Sequence, residues 1–173
     1  MRKLLWLMVF LSGCSMTPKK PEIIDPGTVA LTVTKSMDGT GYSVKPVFTE
    51  GSKEAFQEVA FPTVIVLPGQ GVSTFTGEGE SVNNITLVVN GVHSRQSVQN
   101  GITQGVRVDK IKGTNKVLVS GVFIMSQYGA PLRATAFSLQ TTINQQVKMP
   151  LPISNQLRLS DEQFFILSTF LKH

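Results

Sequence analysis

Between Thr28 and Met149 the apolar residues recur at every second position in short runs, and almost every run is closed by glycine or proline. A period of two lays one side of a strand on a core, whereas a helix needs apolar residues three and four apart. Val29, Leu31 and Val33 make the first run and Tyr42, Val44 and Phe48 the second, with Asp38-Gly39 in the polar turn between them. The β-branched run Val64-Ile65-Val66 ends at Pro68-Gly69, and Ile85, Leu87 and Val89 share one side of a run over Val82 to Asn90. Lys116 to Met125 follows a turn at Lys112 to Asn115. With 15 glycines and 9 prolines spread in this way, no long helix fits before the last fifteen or so residues. The expected fold is mainly β: a single antiparallel β-sandwich or curled sheet.

The punctuation also sets an expected order of pairing. Residues 28–34 and 42–48 form a hairpin, and Pro46, which has no amide hydrogen, puts the second strand at an edge or at a bulge. Glu50 to Gln57 is polar and suits one short helical turn. Val72 to Thr76 returns as a partner for the run at Val64, and Gly77-Glu78-Gly79-Glu80 is the next turn. Val92 to Gly105 is polar enough for an exposed strand or a mobile loop, and Leu132 to Val147 reads as one long strand or two short ones. The end of the chain departs from this pattern. Ser160-Asp161-Glu162-Gln163 has the form of a capping box, and Phe164, Leu167, Phe170 and Leu171 follow at helical spacing, so an amphipathic helix is expected over 161–172.

The beginning departs as well. Arg2-Lys3 precede an apolar run from Leu4 to Leu11 that is too short to span a bilayer as a helix, and Ser12-Gly13 supply small residues before Cys14, the chain's only cysteine. This is the pattern of an export signal. Leu11-Ser12-Gly13-Cys14 resembles the lipobox of bacterial lipoproteins, which implies diacylglycerol on the Cys14 sulfur, cleavage of residues 1–13, and palmitate-type acylation of the new amino terminus. Ser15 after the cysteine is similar to lipoproteins moved on to the outer membrane. Residues 14–27, with three prolines and mixed charge, are expected to be the lipidated start and a tether, and residues 28–173 a periplasmic β-rich domain. Losing Arg2 and Lys3 lowers the formal charge from +5 to +3, too mild and too scattered for a nucleic-acid footprint. With its one cysteine committed to lipid, the body has no disulfide and relies on burial and backbone pairing.

Chemistry is sparse. The histidines are His93 and the terminal His173, neither with a base or nucleophile beside it in sequence. Glu78 and Glu80 flank Gly79, but two carboxylates fall short of the oxygens calcium prefers. The glycines at 69, 71, 77 and 79 precede no helix start of the phosphate-loop kind, and Asn84-Ile85-Thr86 is a sequon that an exported bacterial protein does not normally use. No catalytic residue, metal site or cofactor is expected, and the chain is read as not an enzyme.

From Phe61 to Ser120 the order is a proline, a β-branched strand, a Pro-Gly-Gln turn, a strand ending at Gly77, polar strands, Gly105-Val106-Arg107-Val108, a spacer, and Lys116-Val117-Leu118-Val119-Ser120. That order resembles the early β-domain of secretins, the outer-membrane rings of type II and type III secretion and of type IV pili. The resemblance implies a structural or assembly part of a secretion, pilus or conjugation apparatus, without the ring-building modules or gate of a complete pore. Lipid-anchored pilotins serve such rings. Expected partners are the membrane, through the N-terminal lipid, and envelope proteins, with no nucleic acid. The docking candidates are the strand edges at Val82 to Asn90 (Val82, Ile85, Leu87, Val89) and at Leu132 to Gln140, and the helix residues Phe164, Leu167, Phe170 and Leu171. The alternative is an envelope lipoprotein holding a lipid or sugar in a cavity lined by Phe61, Phe75, Phe123 and Phe137.

Overall fold

The computed structural model describes residues 27–52 and 55–168; the signal, Cys14, most of the tether, Phe170, Leu171 and His173 lie outside the described residues. In chain order the elements are β1 (Thr28–Lys35), β2 (Tyr42–Ser52), β3 (Ala55–Ala60), β4 (Val64–Val66), β5 (Gly71–Val89), β6 (Val92–Lys110), β7 (Lys116–Ser126), β8 (Arg133–Thr142), β9 (Gln146–Pro150), β10 (Gln156–Leu159) and α1 (Asp161–Ser168). They make two five-stranded sheets. The first runs β3-β2-β1-β9, with β4 also on β2; the second runs β10-β5-β6-β7-β8. The fold is therefore the mainly β sandwich of curled sheets with a short C-terminal helix that the alternation implies.

Every ladder is antiparallel except one. β10 lies parallel to the far end of β5, Gln156 opposite Thr86 and Leu159 opposite Val89, because the chain crosses from the first sheet after β9 and enters the second from its open edge.

The hairpin of β1 and β2 forms with Val33 opposite Val44. Pro46 is not at an edge. Its carbonyl accepts from the Phe61 amide at 3.1 Å, and its nitrogen, pointing the same way along the strand, has no hydrogen to give. The neighbouring strand breaks opposite it: β3 pairs up to Ala60 with Val47, and β4 resumes at Val64 with Val44. Phe61-Pro62-Thr63 spans the gap, so the amide that proline lacks falls where no ladder asks for one. Glu50 to Gln57, expected as a helical turn, is instead the end of β2 and the start of β3.

Two cores follow from the alternation. Between the sheets, Val29, Leu31, Val33, Val44 and Phe48 meet Val106, Val108, Val117, Val119 and Phe123, all at most 1% exposed. At roughly 1.5–3 kcal/mol for each fully buried aliphatic or phenylalanine side chain, this layer is the main source of stability. The even residues of β7 look the other way: Val122 and Ile124 join Ile85, Leu87, Val98, Leu132, Ala134, Leu157, Leu159 and Leu167 in a second core. The second sheet is thus buried on both faces, and its own curl supplies the second cover.

Candidate interaction surfaces

The cover comes from β5 and β6. Each is 19 residues long, and they pair from Gly71 opposite Arg107 to Val89 opposite Val92 around Asn90-Gly91. Asn90 at φ 49° and Gly91 at φ 79° give the left-handed pair that a two-residue primed turn demands. β7 pairs β6 only from Gly101 to Lys110, so the outer part of the hairpin runs on alone as an arm. The arm bends where the register slips between Gly77 and Ser81. Gly77 pairs with Gly101 at the bend, and a Cβ on either would stand 2.0 Å or 2.3 Å from a carbonyl oxygen of the facing strand. Two glycines are what let the strands touch there. Asn83 Nδ2 donates to Ser126 Oγ at 2.8 Å and Asn100 Nδ2 to Glu78 at 2.7 Å, fixing the bend from both sides. Gly77-Glu78-Gly79-Glu80, expected as a turn, is this bulge, and Val72 to Thr76 pairs with β6, not with β4.

Bending the arm over the sheet buries its inner face. Ile85 and Leu87 are 1% and 0% exposed, Val89 packs against the same cluster, and Val82 is half-buried beside the register slip. These four were expected to line a free edge. They lie inside the fold, and the backbone from Thr86 to Val89 is taken by β10. The edge left open on the arm is the opposite one, β6 from Val92 to Asn100, which has β5 on one side and no strand on the other among the described residues. Its exposed side chains include His93, Arg95, Ser97 and Gln99. The stretch read as an exposed strand or a mobile loop is therefore a strand. The signal for it is the Asn90-Gly91 dipeptide, the strongest short-range mark of a hairpin. Of the second expected edge, Leu132 to Gln140, the start is taken, since the Ser154 amide donates to the Leu132 carbonyl and the Ala134 amide to the Pro152 carbonyl; the rest lies on β8, the last strand of the second sheet.

α1 packs on the same side of the second sheet as the arm. Its capping box forms: the Ser160 amide donates to Gln163 Oε1 at 3.0 Å, and the Gln163 amide to Ser160 Oγ at 3.2 Å. Gln163 also donates through Nε2 to the Phe137 carbonyl at 2.9 Å, and Ile166 rests over Gly71 and Gly105, where a Cβ would come within 2.5 and 2.7 Å. The buried stripe is consequently Gln163, Ile166 and Leu167. Leu167 is core, Phe164 sits at the margin, and Phe165, which the spacing did not single out, is 74% exposed. No helix among the described residues is long and apolar enough to cross a membrane.

Phe61, Phe123 and Phe137 do come together, but as a stack in the core. Phe61 meets Phe123 edge-on at 5.5 Å, and Phe123 lies over Phe137 at 4.9 Å. The rings fill the space a ligand would need, and Phe75 pairs with Thr103 beside the glycine bend instead of joining them. Among the described residues no three of His, Cys, Asp and Glu converge to hold a metal ion. His93 stands exposed on the arm.

Two charged groups serve the framework. Arg133, 3% exposed, is held by Glu50, by the Leu151 carbonyl at 3.0 Å and by the ring of Phe48 at 5.6 Å, beside Gly27 where the chain enters the fold. Arg107 bridges Asp109 at 2.9 Å and Glu162 of α1 at 2.8 Å; the hydrogen bond it donates to Asp109 raises its pKa above the ordinary arginine value.

Two interleaved cores, a folded-over hairpin arm and a strand edge left open among the described residues define this β-sandwich. Set against known protein families, curated proteins and solved structures, the sequence and fold give no match.

Proposed function

We propose that the chain is a non-catalytic lipoprotein of the outer membrane, held by acyl groups on Cys14 with its body facing the periplasm. The β body acts as a structural or assembly component of a secretion, type IV pilus or conjugation apparatus. The pattern from Arg2 to Cys14 supports the anchor: several acyl chains at about 0.8 kcal/mol per buried methylene hold a protein where one chain would not. The observation that carries the partner reading is the open edge of β6 from Val92 to Asn100. Unpaired amides and carbonyls on a strand braced from behind by a core accept a strand from another protein, with the alternating side chains Arg95, Ser97 and Gln99 setting preference. Two experiments test the two halves. Cys14→Ser abolishes acyl labelling and moves the protein from the membrane fraction to the soluble one; continued sedimentation with membranes would defeat the anchor. Photocrosslinkers placed at Arg95 and Gln99 in intact cells capture an apparatus subunit, and capture of unrelated proteins alone would defeat the partner reading.

A further inference from the structure

The end of the sandwich opposite the tether gathers lysines. The loops at residues 36–41, 67–70, 111–115 and 143–145 converge there around a depression of about 260 Å³ lined by Lys35, Thr40, Tyr42, Lys110, Thr114 and Asn115, among others. The Asn144 amide donates to Val33, Ile143 to Asn115 and Gly69 to Val108, so the loops form one platform. Lys35, Lys110, Lys112 and Lys116 are all exposed, and none makes an ion pair with a described residue. Of the nearby carboxylates, Asp109 is balanced by Arg107, which it shares with Glu162; Asp38, held by Ser36 and Thr40, keeps its negative charge, so four lysines face one unpaired carboxylate. Tyr42, 5% exposed, lines the depression, its backbone paired with Lys35 of β1 and Val66 of β4. On the same platform two apolar side chains face outward: Met37, at the tip of the first loop, is wholly exposed, and Leu67, packed near Gly41, is 43% exposed.

Unpaired lysines call for an anionic partner, and a solvent-facing methionine and leucine among them call for one with an apolar interior. An anionic phospholipid surface has both, with lysines at the head groups and a short side chain pushed just beneath them. We infer that this loop platform docks on an anionic bilayer, Met37 entering the interface and Lys35, Lys110, Lys112 and Lys116 lying at its phosphates. This goes beyond the lipid anchor and does not depend on it.

The test uses the mature chain, residues 14–173 with Cys14→Ser, so that neither signal nor acyl group is attached, with an environment-sensitive dye on Met37→Cys and, separately, on Ser97→Cys of the arm. The probe surface is vesicles of phosphatidylcholine with and without phosphatidylglycerol. Dye at 37 shifts to the blue on anionic vesicles only, and rising salt reverses the shift; dye at 97 stays in water. Lys35→Gln with Lys110→Gln weakens partitioning about thirtyfold, roughly fivefold for each lysine near the surface, and Lys112→Gln with Lys116→Gln does the same. Arginine at these positions restores binding. A dye at 37 that remains in water on anionic vesicles overturns the inference, and so does partitioning that ignores all four lysines. Because the residues are exposed, loss of binding without loss of the β spectrum is read as loss of docking.

Discussion

Gly77 and Gly101 face each other where the arm bends, and alanine at either position tests whether close backbone approach makes the bend. A Cβ on Gly77 would lie 2.0 Å from the Asn100 carbonyl oxygen; on Gly101 it would lie 2.3 Å from that of Thr76, in a residue with φ 146°. Ordinary contact starts at 3.4 Å, so the strands must part by about 1 Å, and a ladder displaced that far gives up two or three hydrogen bonds at about 1 kcal/mol each. Positive φ in a residue with a Cβ adds about 1–2 kcal/mol at Gly101. The expected losses are about 2–3 kcal/mol for Gly77→Ala and about 3–5 kcal/mol for Gly101→Ala, against a total of roughly 5–15 kcal/mol for a typical domain. Gly79→Ala and Gly113→Ala are the controls, since both have positive φ with nothing within 4 Å and should lose only about 1–2 kcal/mol. Urea unfolding followed by circular dichroism gives the totals. Native-state hydrogen exchange shows where the loss falls: arm amides from Asn83 to Val98 should open before those of β1 and β2. If Gly101→Ala costs no more than Gly113→Ala, or if arm protection is unchanged, crowding is not what shapes the bend.

Three further outcomes follow from single contacts. Glu50→Gln strips the carboxylate from the buried Arg133 guanidinium and should cost about 3–5 kcal/mol in urea, whereas Arg133→Met, which leaves Glu50 within reach of water, should cost less. The Ser36 hydroxyl, then the hydroxyl and amide of Thr40, hold Asp38 at a pKa of about 2, below its ordinary 3.8. The stability this brings is whole above about 3.8 and is lost as pH falls through about 2; carboxyl NMR should report the low value and Ser36→Ala should raise it. Ser160→Ala removes the acceptor for the Gln163 amide and should lower stability by about 1 kcal/mol, read from the thermal midpoint.

The hairpin of β1 and β2, the short strand β4, the hairpin of β6 and β7 and the capping box were legible because each rests on neighbours in sequence. Alternation in Val29 to Val33 and in Tyr42 to Phe48 names the buried face directly, and Ser160 with Gln163 names the helix start. The arm was not legible, for a physical reason. Its glycines at 77 and 79 carry the same mark as a turn, and only a partner strand more than twenty residues away decides between a turn and a bulge. The polar face of Val92 to Gln99 likewise hides a strand, since burial on one side only is shared with Ile85 and Leu87 of its partner. The helix stripe was misphased for a related reason: Gln163 is buried because two carbonyls of the sheet accept from it, and no periodicity of apolar residues reports that.

The two ends of β1 give the proposals a common geometry. Thr28 opens the strand beside Gly27 and the tether, Lys35 closes it at the loop platform, and eight residues at about 3.3 Å each separate the ends by about 26 Å. The thirteen residues from Ser15 to Gly27 have a contour of up to about 43 Å, longer than the strand. A body anchored through Cys14 therefore has reach enough to lay its lysine platform on the membrane that holds its lipid. In that posture the arm, rooted at the Gly77–Gly101 bend and stiffened by the second core, carries the open edge of β6 for a protein partner while the platform stays on lipid. Lysine variants should then change how the body sits without releasing the acylated protein, and crosslinks from Arg95 should change in efficiency but not in identity. A change of captured partner on removing the lysines would show that platform and arm do not act as separate surfaces.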